Sequence, residues 1–256
     1  MKSLFAFIKK EWLEAVRNGK MLILIVLFTL FGIMNPAIAK LTPWIMELMA
    51  DSLAETGMTI TAVQVNALTS WTQFFKNIPM GLIAFVLICS NTFTKEYQSK
   101  TLILVLTKGL SRYKVVVAKS VLMLSLWTFC YWLCFTVTYV YNSYFWDNNI
   151  ACSLLPTAAH WWLLGVWVIS LIVLFSVLFT NNTGVLLGTG GTVLAAYLAG
   201  LFPRVQEYMP TLLMNTGSLL SGAEGLETYL KAVVVTGVLC IGGIAAGVAV
   251  INRREI

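Results

Sequence analysis

The composition of this 256-residue chain is that of a membrane protein. Hydrophobic residues make up 59% of it and charged residues only 11%, whereas a soluble domain of this length carries about a quarter charged residues. Lipid must therefore replace water around most of its surface. The chain has one histidine, His160, and five cysteines that form no Cys-x-x-Cys pair, so a metal site built from these ligands is not expected.

The first 19 residues are predicted to form an amphipathic helix that lies in the membrane interface. Lys9, Lys10, Glu14 and Arg17 occupy one side of this helix. A basic face opposite tryptophan and phenylalanine is typical of such interfacial helices; a solvated leader is the alternative. Asn18-Gly19 then predicts a break before the first span. The apolar arc of the helix consists of Leu4, Phe5, Ile8, Trp12, Ala15 and Val16.

Six apolar stretches come close to the roughly 20 residues that a membrane-spanning helix needs. The second is short and opens at Pro79, so its helix is expected to begin earlier, near Trp71. The fifth is rich in Gly and Thr but carries no charge. The sequence thus predicts an all-α integral membrane protein with one domain, residues 1–256, and spans at residues 21–39, 78–93, 120–141, 161–179, 184–202 and 232–251.

The distribution of charge predicts that both termini lie in the cytoplasm. Six spans place both ends on one side, which then holds thirteen of the seventeen basic residues and four of the eleven acidic ones. That side carries +9 and the other −3, the positive-inside pattern of multi-pass membrane proteins. The excess of basic residues is therefore explained by the membrane topology, and no nucleic-acid partner is expected.

The outer connections are predicted to contain short helices. Trp44, Leu48 and Leu53 recur at helical spacing after the first span. Before the last span, residues 203–229 alternate short apolar patches with proline and glycine. Such patches are too short to span, and they are typical of re-entrant helices whose backbone is covered by protein.

The chemistry of an enzyme or of an ion-coupled carrier is missing from the spans. None of the six contains Asp, Glu, Lys or Arg, although carriers driven by ion gradients use such groups at depth. Lys119 lies at the edge of the third span, where its side chain is expected to snorkel toward the interface. The chain has no HExxH and no GxxxxGK[ST] motif. We therefore expect no catalytic, cofactor-binding or metal-binding residues.

The cytoplasmic loop at residues 94–119 is the most informative segment. Leu102, Leu106 and Leu110 lie on one helical face, and basic residues line its ends. Such a segment can seat an apolar ridge in a partner's groove; an interfacial loop with snorkelling lysines is the alternative.

This loop resembles that of the ABC-2 type permeases, the membrane subunits of ABC exporters. Members show an acidic residue, Ser-Gly-Thr-Leu, an apolar helix, a Ser-Arg turn and a Lys at the foot of the third span. Lys100 replaces the usual Gly here, and Lys108-Gly109 replaces a Pro-containing turn. The matching residues are Glu96, Ser99, Thr101, Leu102, Ser111, Arg112 and Lys119.

The resemblance implies an ABC-2 type transmembrane domain with an N-terminal elbow helix and a coupling helix between spans two and three. It implies that the chain pairs with a second permease chain, identical or different, and docks on a separate ATPase subunit that holds ATP and Mg. The chain by itself is not expected to be an enzyme. The elbow helix would use Phe5, Ile8, Trp12 and Val16, and coupling would involve Glu96, Tyr97, Ser99, Thr101, Leu102 and Leu106.

These features favour a plasma-membrane exporter that moves an amphipathic or hydrophobic substrate out of the cytoplasm; a peptide is one candidate. Trp127, Tyr131 and Phe135 of the aromatic-rich third span form a wall that such a cargo could meet; lipid-facing and interfacial aromatics are the alternative. A second function is equally compatible with the loop if ATPase docking has been lost. The chain would then be a membrane assembly or immunity factor that only binds a partner.

Overall fold

The computed structural model describes residues 2–48, 65–98, 111–215 and 217–253, with backbone only for residues 2 and 96–98. These residues are 88% helical and contain no strand. Short 3-10 turns lie at Asn148–Ile150, Pro210–Met214 and Leu226–Tyr229. The α-helices within the described ranges are α1 Lys2–Arg17, α2 Lys20–Leu48, α3 Ala67–Cys89, α4 Asn91–Gln98, α5 Arg112–Phe145, α6 Leu154–Leu178, α7 Asn182–Ala199, α8 Pro203–Gln206, α9 Gly217–Leu220 and α10 Leu230–Arg253.

Five helical stretches in the described ranges are long and apolar enough to cross a membrane. The 18-residue helix α7 coincides with the predicted fifth span but is not among them. The prediction of an all-α, multi-pass membrane protein is therefore confirmed, whereas the number of six spans stays a prediction. The five stretches are Lys20–Leu48, Ala67–Lys95, Arg112–Phe145, Leu154–Leu178 and Leu226–Arg253.

Helix α2 continues through two prolines, although the sequence predicted that the first span ends at Ala39. Pro36 has no N–H and cannot donate to the carbonyl of Gly32 one turn earlier. The Thr138 hydroxyl on α5 donates to that carbonyl instead, at 3.0 Å. A neighbouring helix thus satisfies the group that the proline frees, as membrane helices require.

Helix α5 is the centre of the bundle and packs against α1, α2, α3, α6 and α10. Its aromatic side chains interlock with those of α2 and α3 in tilted and edge-to-face contacts, which aromatic pairs prefer. The Trp127 ring lies 6.0 Å from that of Phe28 and 5.5 Å from that of Phe85. The buried hydroxyl of Tyr131 has a partner too, since it donates to the carbonyl of Ala158 at 2.7 Å.

The segment before α10 is a series of short helical turns, as predicted, and it closes over one end of α6. The buried Tyr229 hydroxyl donates to the carbonyl of Asn215 at 3.1 Å and lies 2.9 Å from both Ser218 and Glu224. The His160 ring of α6 stacks on the Tyr229 ring at 5.3 Å. Whether these turns dip into the membrane stays a prediction.

The fit of α5 against α6 generates the first test. A Cβ added to Gly165 would lie 2.2 Å from the Trp127 ring. Gly165→Ala is therefore expected to lower the free energy of unfolding by about 1–3 kcal/mol through overpacking. Thermal unfolding of the purified protein in detergent measures the effect.

Gly191→Ala is the matched control, because a Cβ there meets no atom within 4 Å. It should leave stability unchanged or raise it slightly, since alanine favours the helix. Equal Tm values for the two variants would contradict the packing described.

Candidate functional site

The end of the bundle where α2 begins is built on the packing of α1 against α5. Phe7 and Ala15 of α1 are buried, and Phe7 clusters with Val115 and Ala118 of α5. Glu11 lies midway between Phe7 and Ala15 on the same face, because residues four apart share one face of a helix. Helix α1 therefore presents a carboxylate, not only apolar groups, to the protein.

That carboxylate forms a buried ion pair with Lys119 of α5. The Lys119 ammonium lies 2.9 Å from Glu11 Oε2, and both side chains are only 2% exposed. Lys119 also donates to the carbonyl of Thr92 on α4 at 3.0 Å. The prediction that Lys119 snorkels to the interface is wrong, because Glu11 offers its ammonium a partner inside the protein.

Further charges surround this pair. Lys10 lies 2.9 Å from Glu11 Oε1 and 3.0 Å from Glu14 Oε2. Burial raises the pKa of Glu14, but the hydrogen bond from Lys10 and the charges of Lys10, Lys119 and Lys95 lower it further, so the net pKa is below the ordinary value. Glu14 is therefore ionised at neutral pH.

The start of α2 also contacts α4, close to these charges. Gly19 adopts φ +69°, the left-handed conformation that glycine tolerates, and turns the chain from α1 into α2 as predicted. The next residue, Lys20, donates to Asn91 Oδ1 of α4 at 2.7 Å. A cavity of about 30 Å³ lies between these elements. We call this meeting point of α1, α2, α4 and α5 the charged joint; it comprises Lys10, Glu11, Glu14, Lys20, Asn91, Thr92, Lys95 and Lys119.

A second feature is an open apolar groove of about 420 Å³ between α3, α6 and α7. Its walls are almost wholly apolar and include Leu82, Val86, Val168, Val193 and Met214. The sequence analysis did not find this groove. Its only signal was the fifth apolar stretch, rich in Gly and Thr, which forms α7: a Cβ at Gly190 would meet no atom within 4 Å.

Comparison with known proteins decides the family. A family model described as "ABC-2 family transporter protein" matches residues 5–220, most of the chain. The chain belongs to the ABC-2 transporter family. No curated protein and no solved structure matches it. The matched range includes every residue of the charged joint and every lining residue of the groove, so both features belong to the ABC-2 part of the chain.

The coupling residues predicted for this ABC-2 protein lie next to the charged joint in sequence. Glu96 and Tyr97 belong to α4, whose backbone is described at these positions. The other four, Ser99, Thr101, Leu102 and Leu106, lie outside the described residues. Their role in coupling stays a prediction, and the structure contributes the attachment of α4 to α5 through Thr92 and Lys119.

The residues predicted for the interfacial helix divide between two environments. Ile8 and Trp12 are partly buried, whereas Phe5 is 68% and Val16 54% exposed. The stripe that faces α5 instead contains Phe7, which the predicted arc left out. Helix α1 thus has one apolar side toward the bundle and further apolar side chains that no described residue covers.

The aromatic wall predicted to meet a cargo is part of the core. Trp127 and Tyr131 are 0% exposed and Phe135 is 6% exposed. Each is packed against other aromatic rings, and Trp127 donates to the carbonyl of Trp162 at 3.1 Å. Because the rings cover one another, they stabilise the helix packing and leave almost no surface for a cargo.

The buried ion pair yields the second test. Lys119→Met or Glu11→Gln leaves its partner's charge buried with fewer partners, so each is expected to lower the free energy of unfolding by about 3–5 kcal/mol. The double variant should lose less than the sum of the two, because it removes both charges. Chemical or thermal unfolding of all three variants in detergent measures this.

Lys231→Met provides the control. Lys231 forms an ion pair with Glu207 in which both side chains are more than half exposed, and such pairs add little to stability. A loss for Lys119→Met no larger than that for Lys231→Met would show that the buried pair does not stabilise the joint.

Proposed function

We propose that the chain is the permease subunit of an ATP-driven exporter and that the charged joint couples it to a separate ABC ATPase. Membership of the ABC-2 transporter family supports the general role. The observation that carries the coupling proposal is the Lys119 side chain, which contacts Glu11 of α1 and the Thr92 carbonyl of α4 at once. Helix α4 leads directly into the segment that resembles the coupling helix.

The proposed route of coupling follows these contacts. Closure of the ATPase would push on residues 96–106 and displace α4. Lys119 would carry the displacement to α5, which packs against five other helices. Helix α1 would move with them through Glu11. The helices α1, α4 and α5 would thus switch between two arrangements, and the nucleotide on the partner subunit would favour one of them.

The proposed topology keeps six spans with both termini in the cytoplasm. Helix α7, the fifth span in chain order, would complete the six: it is apolar, follows α6 through a tight turn, and packs against α6. The Asn181 side chain caps it by accepting from the Gly184 N–H at 3.0 Å. Six spans also keep the excess of basic residues on the cytoplasmic side.

The proposed partners are an ABC ATPase subunit, a second permease chain and the lipid bilayer. ATP and Mg would bind to the ATPase subunit, and this chain would have no catalytic activity of its own. Pairing with an identical or a different permease chain would complete the transport unit.

The proposed cargo is amphipathic or hydrophobic, and a peptide is one candidate. The groove between α3, α6 and α7 supports this better than the aromatic wall does. Its volume of about 420 Å³ lies in the range of ligand pockets, which span about 300–1,000 Å³. Its apolar walls would hold the apolar parts of a cargo by dispersion contacts.

The third test measures coupling directly. The chain is purified with its ATPase and reconstituted, and ATP turnover is measured with and without cargo. Leu102→Ala and Glu96→Ala are expected to reduce the cargo-stimulated turnover about tenfold, a common size for coupling between sites. Leu155→Ala and Glu207→Ala, at exposed positions outside the charged joint, are the matched controls.

Stimulation unchanged by both coupling variants would contradict the coupling role. Transport is tested separately by cargo accumulation in inverted vesicles that contain the complex and are supplied with ATP. A complex that binds cargo but never accumulates it would favour the assembly or immunity factor.

A further inference from the structure

The charged joint contains more positive charge than its carboxylates neutralise. Glu11 and Glu14 are already engaged by Lys10 and Lys119. Lys20 and Lys95 line the same cavity, and neither forms an ion pair with a carboxylate among the described residues. Among the described residues, Lys20 donates hydrogen bonds to two neutral groups, Asn91 Oδ1 at 2.7 Å and the Thr92 hydroxyl at 3.5 Å.

Apolar groups and carboxylates line the cavity as well. The apolar groups are Ala15, Cys89, Leu122, Met123 and Leu126, and the carboxylates are those of Glu11 and Glu14. Because the apolar groups belong to the buried core, an anion in the cavity is surrounded by a medium of low dielectric constant, in which its attraction to the lysines is stronger than in water.

The cavity also lies at the level where one apolar stretch begins and another ends. Lys20 is the first residue of the stretch that contains α2, and Lys95 is the last residue of the stretch that contains α3. Lys119 lies two turns into α5. Such a level corresponds to the boundary of the hydrocarbon layer, where lipid headgroups lie.

We propose that this cavity binds the phosphate group of an anionic phospholipid. The ammonium groups of Lys20 and Lys95 would pair with the phosphate oxygens as charge-assisted hydrogen bonds. A volume of about 30 Å³ accommodates about two oxygen atoms of the phosphate group, since a single water needs about 10–15 Å³ of such space. The rest of the lipid would extend outward into the bilayer.

A lipid bound here would contact α1, α2, α4 and α5 together. It would add a link between the start of α2 and the start of α4, beside the hydrogen bonds that Lys20 donates to Asn91 and Thr92. The site requires no cargo or ATPase, so it exists whether or not the chain exports anything.

The test uses the full-length protein purified in a neutral detergent. Thermal unfolding is followed after addition of phosphatidylglycerol, phosphatidylcholine or sodium phosphate at matched concentrations. Phosphatidylglycerol is expected to raise Tm by several degrees and more than phosphatidylcholine does, because a ligand that binds only the folded state stabilises it. The double variant Lys20→Gln/Lys95→Gln should lose most of this rise.

Lys9→Gln is the matched control, since Lys9 is exposed on α1 and does not line the cavity. An equal rise for the double variant and the wild type, or an equal loss in Lys9→Gln, would overturn the proposal. A rise with sodium phosphate as large as that with phosphatidylglycerol would overturn the assignment to a lipid. If the double variant does not fold, Lys95→Gln alone decides, because the exposed Lys95 side chain contributes little to packing.

Discussion

The ion pair between Glu11 and Lys119 determines how the N-terminal helix sits on the bundle. Both charges are removed from water, so separating them would leave two buried charges without their partner, at a cost that a surface pair never incurs. Helix α1 therefore cannot slide or rotate on α5 unless the pair breaks. Because Lys119 also holds the Thr92 carbonyl, the same constraint extends to α4. Three elements that are distant in sequence are thereby held together.

The two sides of the bundle differ in how tightly their helices are packed. Around α5, the aromatic rings interlock and the freed carbonyl of Gly32 has a partner, so displacement of one helix must displace its neighbours. Around α7 the packing is open, and only Val185 and Thr189 of that helix are buried. Coupling requires a tightly packed side that transmits movement. Cargo binding requires an open side with an apolar groove. The charged joint lies on the tightly packed side.

The sequence predicted the helices well because apolar stretches and turn residues are local signals. The break at Gly19, the helical nature of residues 2–17 and the short turns before α10 were all found where expected. The direction of Lys119 could not be predicted, since it depends on a carboxylate 108 positions away. The environment of the aromatic residues of α5 could not be predicted for a related reason. An aromatic side chain in an apolar stretch can face lipid, cargo or core, and the neighbouring helices determine which of these it faces. Pro36 was compatible with a longer helix only because Thr138 lies beside it.

The most direct measurement of the account is the distance between α1 and the far end of α5. Spin labels at Leu13→Cys and Tyr144→Cys would report it, since both positions are exposed, in a Cys152→Ser background that removes the exposed native cysteine. If the buried pair fixes α1, the protein with Lys119 gives one narrow distance distribution by double electron–electron resonance, and Lys119→Met gives a broad or shifted one. Identical distributions with and without Lys119 would contradict the account.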